Sequence, residues 1–328
     1  MSALSAPSLR IESVALPFAG PPAIAAARPG GAVVLALAAR DAGGGLLGIV
    51  AGRRRRNASV LRLTAWEADG AASAMLAEAF VQTAQDQGVL AIRAADDLAA
   101  AHPVFGLEPT GRGYAQRWLG TVLPCDPRIG VFTQTTGFTC GPVSLAMALH
   151  RNVTRHQEIA LWREATTVIG VAGPGGCDPY GLALSAARRI DDVTLYIDTE
   201  EPVLLDRANT PEKRDLMRFV QGEFKAAAQE ALKVVPRAFR MEELRDAVAG
   251  GAQVMLLVDQ CHTHDHSAPH WVLLHAVAGD VFLVNDPWME VDDGEVPADC
   301  DCLPMSAQAL WTMGSYGSPP YRAAIVLT

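Results

Sequence analysis

The sequence lacks any run of eighteen apolar residues, which removes a membrane-spanning helix from consideration. It lacks an excess of basic charge. Against 27 Lys and Arg stand 36 Asp and Glu, a formal net charge of −9. Nucleic acid and membrane surfaces are therefore not expected partners, and the acidity serves solubility without naming a substrate. Met1 to Arg10 lacks the basic start and apolar stretch of a secretory signal, so the expected location is cytoplasmic. Cysteine is scarce, with six residues, and none falls in a pairing or zinc-binding pattern. Cys125, Cys177 and Cys261 are scattered. One residue between Cys300 and Cys302 is too few for a relaxed disulfide, so both read as surface or partly buried thiols. Free thiols throughout fit a reducing compartment. Internal repeats and low-complexity linkers are missing too. Gly173-Pro174-Gly175-Gly176 lacks the Gly-Lys-Ser/Thr ending of a phosphate loop. It reads as a flexible loop whose glycines let the backbone approach a bound peptide.

What is present suits well-packed cores: 50% of the 328 residues are hydrophobic, and the length suggests two domains. The boundary is placed at 122/123, just before Pro124–Pro127. In the first domain, Ala32–Arg40, Leu46–Gly52, Ser59–Trp66 and Val89–Arg93 read as strands. Ala71–Gln87 has helical periodicity, with Met75, Leu76, Ala79, Phe80 and Thr83 on one stripe. Arg53-Arg54-Arg55-Arg56 reads as a solvated turn between two strands. The second domain mixes helices (140–149, 179–189, 215–233, 241–249) with strands (193–197, 253–258), and closes on a hairpin. In the helix at 215–233, Leu216, Phe219, Val220, Phe224 and Ala227 recur at helical spacing.

The chemistry concentrates at a few positions. Cys140 opens a helical run, Cys140-Gly141-Pro142-Val143-Ser144-Leu145, and Gln134 lies just upstream. A helix N-terminus favours a thiolate, and Pro142 fits its first turn. The Gln134 amide and the Cys140 backbone N–H together offer two donors to an oxyanion. Downstream, His270–Val277 and Val281–Asn285 read as strands joined by a turn at Ala278-Gly279-Asp280. Folding that hairpin brings His270 opposite positions 287–288, with Asp286 at the same end. A carboxylate there holds one imidazole nitrogen and leaves the other for the thiol. A slip of one residue would present Asn285 instead, the fallback orienting residue. Cys261-His262-Thr263-His264-Asp265-His266 carries metal-ligand types at spacing unlike a standard zinc motif. It reads as a polar loop beside the site, so neither a metal nor a cofactor is expected.

Gln-x5-Cys-Gly-Pro, His-Trp-Val and the following Asn-Asp-Pro resemble the bacteriocin leader-peptidase family, which are papain-like cysteine peptidases. A peptidase-like bacterial family often joined to a GNAT acetyltransferase domain is similar more closely, through Trp162–Thr167, Gly173–Leu182 and Ala268–Trp271. The resemblance covers about residues 123–328. It implies Cys140 as nucleophile, His270 as base, Asp286 as orienter and Gln134 as oxyanion donor. About residues 10–122 resemble a GNAT fold, through their element order and Phe105-Gly106-Leu107-Glu108-Pro109. Where a GNAT enzyme holds pyrophosphate on a basic, glycine-rich loop, this chain has Glu67-Ala68-Asp69-Gly70-Ala71-Ala72-Ser73. An acidic pair there repels phosphates, so a degenerate domain that does not use acetyl-CoA is expected.

The expected fold class is α+β: a papain-like domain of a helical part and an antiparallel sheet, preceded by a small GNAT-like α/β domain. The expected activity is a thiol peptidase or amidase acting through an acyl-enzyme thioester on a peptide or amide. Two readings compete with it. In one an amine captures the same thioester, making the protein an acyltransferase. In the other the fold is a non-catalytic peptide-binding module. Oligomeric state has no signature in the sequence.

Overall fold

A computed structural model describes residues 9–15, 32–68, 70–149, 153–166 and 175–328. The readings made of residues 1–8, Asp69, Thr167, Gly173 and Pro174 lie outside the described residues. The chain forms two compact units, 1–122 with 290–299, and 123–289 with 300–328. The segment 290–299, placed by the sequence with the second domain, thus groups with the first. The fold class is α+β, with one seven-stranded mixed sheet in each unit.

In the first unit the strands are β1 (Arg10–Ser13), β2 (Val33–Arg40), β3 (Leu46–Arg54), β4 (Val60–Ala68), β5 (Ala91–Ala95), β6 (Glu108–Pro109) and β7 (Tyr114–Trp118). Their order is β1-β2-β3-β4-β5-β7-β6, antiparallel except for β4 with β5. That parallel pair needs a crossover, which α1 (Gly70–Asp86) supplies, and α2 (Asp96–Ala101) follows β5. The buried face of α1 is the row Ala72, Leu76, Phe80 and Ala84, one residue every fourth position. Met75, expected on that face, is 48% exposed. Aromatic edges complete the core, with Trp66 and Phe80 both edge-on to Phe105.

The arginine run departs from its sequence reading. Arg56-Asn57 does turn between β3 and β4, but the run is not solvated: Arg53 and Arg55 are buried. Arg55 Nε donates to Glu295 Oε1 at 2.7 Å, and Arg53 Nη1 donates to the Asp293 carbonyl. Arg62 grips both carboxylate oxygens of Asp299. A buried guanidinium needs a counter-charge, and 290–299 supplies it, which is why this segment joins the first unit.

The second unit holds α3 (Cys140–Ala148), α4 (Arg155–Ala165), α5 (Pro179–Ala187), β8 (Val193–Ile197), α6 (Pro211–Ala231), β9 (Lys233–Val235), α7 (Met241–Ala249), β10 (Gln253–Asp259), β11 (Pro269–Ala278), β12 (Val281–Asn285), β13 (Leu303–Ser306), α8 (Ala307–Met313) and β14 (Ala323–Leu327). The sheet order is β13-β12-β11-β10-β14-β8-β9. Near-continuous apolar runs in β10, β11 and β14 mark strands buried on both faces. On α6 the sequence reading is offset, not reversed, for Val220 and Phe224 are half-buried and Phe224 packs against the core. The buried side of the helix is Lys213, Met217, Gln221 and Ala228, while Leu216 and Phe219 are exposed. Gln221 earns its burial through both amide ends, bonded to the Val203 main chain.

The hairpin of β11 and β12 turns at Gly279, whose φ of +58° a side chain would resist. Ala278 pairs with Val281, and a bulge between Leu274 and Ala276 shifts the ladder by one. Beyond the bulge Leu273 faces Asn285, so the far ends of both strands arrive together.

The cysteine reading needs correction. Cys125 and Cys302 form a disulfide across 177 residues, and Cys300 and Cys302 are both buried. Sequence spacing could not show this, because the partners meet only once β13 is in place. Their sulfurs also lie within 4.8 Å of a His275 nitrogen, a donor set that could suit a metal. The disulfide removes both thiolates from that role. Titration of the unfolded, unreduced protein is expected to find four thiols, Cys140, Cys177, Cys261 and Cys300. Two more should appear after reduction; six without reductant would mean that no such bond forms.

Candidate active site

Cys140 stands at the first position of α3, half-exposed, while the eight helix residues after it are buried. The helix is held close against its neighbours. A Cβ on Gly141 would lie 2.8 Å from Leu182 and 3.1 Å from Trp271, so only glycine permits this approach of α3 to α5 and β11. Ser144 Oγ donates to the Trp271 carbonyl at 3.1 Å, fixing α3 against the strand that carries His270.

His270 lies near the start of β11 and is buried. Its Nε2 is 2.6 Å from Asp286 Oδ1, just past the end of β12. Cys140 lies near enough to raise its pKa. Burial pulls the imidazole pKa down, but the Asp286 carboxylate, its hydrogen bond and Cys140 outweigh that and carry it from 6.5 up to about 10. The ring is therefore an imidazolium at neutral pH. Asp286 is itself held by two backbone bonds: its Oδ1 accepts from Trp288 N–H at 2.8 Å, and its own N–H donates to the Cys300 carbonyl at 2.9 Å. Asn285, the fallback orienter, points elsewhere. Its Oδ1 accepts from Cys302 N–H and faces His275 Nε2.

Gln134 reaches the same place by a main-chain bond, its N–H donating to the Pro287 carbonyl at 2.8 Å. The side chain is buried, and its Nε2 donates to the Thr136 carbonyl at 2.6 Å. Cys140, His270 and Gln134 line one cleft of about 300 Å³. Trp271 and Trp288 wall it, and Cys177 adds a second thiol, raised well above its ordinary pKa by burial and by the nearby Cys140 and Asp178.

The histidine-rich segment before β11 is a turn. His264 Nδ1 meets Thr263 Oγ1, and His266 Nε2 meets Gln260 Oε1, each at 3.0 Å. Its three histidines do not share an extended face, because a short helical turn at Gln260–His262 interrupts it. Gln260 and His266 line the cleft.

The model of DUF3335, the Peptidase_C39 like family, matches residues 129–328. The chain belongs to this C39-like peptidase family. Solved structures similar to this family member include a C39-like peptidase from Bacillus anthracis, 15% identical, covering 63% of this chain and 98% of that one at a TM-score of 0.33. For the first unit, a GNAT family N-acetyltransferase from Escherichia coli in complex with CoA is 16% identical, covering 37% of this chain and 86% of that one at 0.29. A GNAT family acetyltransferase from Staphylococcus aureus is 14% identical, covering 26% and 68% at 0.23. No curated protein matches the chain.

One residue of this C39-like site escaped the sequence reading. Glu158, fully buried on α4, accepts from Thr135 N–H and Thr135 Oγ1, each at 2.8 Å, and from Thr139 Oγ1. It thereby pins the loop that begins at Gln134 and ends at Cys140. A lone glutamate in the first turn of a helix carries no sign of such a role. Glu158→Ala strands these donors, and urea unfolding is expected to show a loss of about 3 kcal/mol.

The His270–Asp286 pair makes stability pH-dependent. Because folding raises the imidazole from 6.5 to about 10, its contribution is complete below pH 6.5 and is lost as pH rises through 10. Asp286→Asn removes that gain. The difference in unfolding free energy between wild type and variant should therefore narrow from pH 6.5 to 10. A constant difference would mean the imidazole is not raised.

Proposed function

We propose that the protein is a thiol hydrolase, a peptidase or amidase, that cleaves a peptide or amide through a Cys140 thioester. The observation that carries the reading is the buried His270, bonded to Asp286 and lining one cleft with Cys140. Membership of a C39-like peptidase family supports the same class of chemistry.

Each step uses a group already in place. The imidazolium stabilises the thiolate beside it, and the N-terminal amides of α3 add their partial positive charge. The thiolate attacks the amide carbonyl. The developing oxyanion takes the Cys140 N–H, one of the helix's unpaired donors, and the Gln134 amide hydrogen not spent on Thr136. His270 then gives its proton to the departing amine, and water releases the acyl group with His270 as base. Asp286 keeps the ring turned toward the thiol throughout. The half-exposed sulfur and the open cleft give substrate and water access.

The test is the rate of iodoacetamide modification of Cys140 against pH, followed by peptide mass mapping. A plateau reached below pH 7 is expected, and His270→Ala should lower the rate at pH 7 at least tenfold. A rate that climbs only near pH ~8.5, as for an ordinary thiol, would overturn the reading. Cys140→Ala is expected to abolish turnover of any substrate found.

A further inference from the structure

A second hollow opens beside the cleft that holds Cys140, and the hydrolysis makes no use of its chemistry. It measures about 440 Å³ and lies wholly within the second unit. Leu204 lines both spaces, and the chain steps from one to the other again at Asp259–Gln260 and at Ser267–Ala268. The shared wall is held firmly. Leu204 has a φ of +59°, a left-handed conformation that is costly for a leucine. Both amide ends of Gln221 bond the main chain of the preceding Val203 and keep that conformation in place.

The hollow is acidic. Glu201, Asp206 and Asp259 line it, and among the described residues no Lys, Arg or His does. Asp259 accepts from neutral donors only, the Cys261 and Ala268 N–H groups and the Ser267 hydroxyl, which leave its charge uncancelled. Asp206 Oδ2 accepts the Tyr316 hydroxyl at 2.7 Å, again a neutral donor. Arg207, the next residue along the chain, lines the Cys140 cleft and not this hollow.

Acidity alone describes a solvated rim as well as it describes a site. A buried group separates the two. Tyr321 also lines the hollow, is 6% exposed, and its hydroxyl has no hydrogen-bond partner among the described residues. Burial, then Tyr316, Asp206 and Asp178, push that hydroxyl well above the ordinary tyrosine pKa, so it stays protonated and lies near Tyr316 and Asp206. A buried hydroxyl left unbonded is costly, and a ligand N–H relieves that cost. The Tyr316 and Tyr321 rings stand edge to face, their centroids 6.4 Å apart, and offer aromatic surface to an alkyl stem or a cation.

We propose that this hollow is a subsite for a cationic nitrogen group of the substrate, which selects peptides carrying such a group close to the scissile amide. Asp206 and Asp259 supply the charge, with Glu201 at the exposed rim. The Tyr321 hydroxyl accepts one directed N–H, and the two rings take the stem. A Lys or Arg side chain and a free α-amino group share this chemistry. The proposal rests on the hydrolase reading of Cys140 and names the substrate class of that site.

Peptidyl chloromethyl ketones provide the test, because they alkylate a nucleophilic cysteine and need no known substrate. Reagents acetylated at the N-terminus are compared in pairs, with lysine or the uncharged norleucine at each of the three residues before the ketone. Labelling of Cys140 is followed by peptide mass mapping. At one position lysine is expected to react about tenfold faster. Asp206→Asn, at an exposed position, should lower that lysine-to-norleucine ratio about 3- to 10-fold, and raised salt should lower it in wild type. Tyr321→Phe removes only the hydroxyl and should lower the ratio as well. A norleucine reagent with a free N-terminus tests the α-amino source in the same way. No preference for either cation, whether because the rates match or because no reagent labels Cys140, overturns the proposal. So does a ratio that Asp206→Asn and Tyr321→Phe both leave unchanged. The iodoacetamide plateau tells the failures apart: present below pH 7, the subsite alone falls; absent in wild type, the hydrolase reading falls with it.

Discussion

A buried carboxylate and imidazole meet at 2.6 Å in the second unit, and much of its local structure answers to that pair. Two ionised groups removed from water cost several kcal/mol each unless their remaining valences are met. Asp286 meets its own with the Trp288 N–H and, through its backbone, the Cys300 carbonyl. The neighbouring Pro287 carbonyl holds the loop that carries Gln134. The strand end that binds the histidine therefore also positions the loop leading to Cys140, and the site is assembled from the imidazole outward. Glu158 finishes the assembly from the opposite side of that loop. Both of its oxygens are spent on Thr135 and Thr139, so the residues flanking Gln134 and Cys140 have little freedom.

How much of this the sequence could reveal depended on whether the signal was local. The hairpin was legible because strands of alternating and apolar residues around Gly279-Asp280 have few ways to pair, and pairing alone brings His270 to Asp286. The bulge near His275 was not legible, yet it changed the register by one residue without breaking that meeting. Helix existence was legible for α1, α3, α5, α6 and α7 but not for α4 or α8, and helix orientation was not. On α6 the apolar Phe219 faces water while Lys213 and Gln221 face inward, because those two have polar partners or a cleft to face and hydropathy is blind to both. On α1 the same error was smaller, since Met75 differs from the true buried row by one position.

What sequence reasoning missed altogether was long-range and polar. Glu158, the Cys125–Cys302 bond and the Arg55–Glu295 pair each join residues whose neighbours in the chain give no hint of the other. The arginine run shows the size of the trap. Four adjacent cations look like a solvated surface turn, and most such runs are. Here two of the four are buried, and their partners come from 240 residues further on.

That last arrangement bears on how the gene can be divided. The chain leaves the second unit at 289, contributes ten residues to the first, and returns at 300. A fragment ending at residue 122 would carry Arg55, Arg62 and Arg93 but not Glu295, Asp299 and the Ala298 carbonyl that receive them. Its buried guanidinium would then be stranded, a penalty of about 3–5 kcal/mol, comparable with the whole stability of a small domain. The two units share one covalent thread that crosses three times. Neither is a cassette that a single cut in the gene could lift out whole.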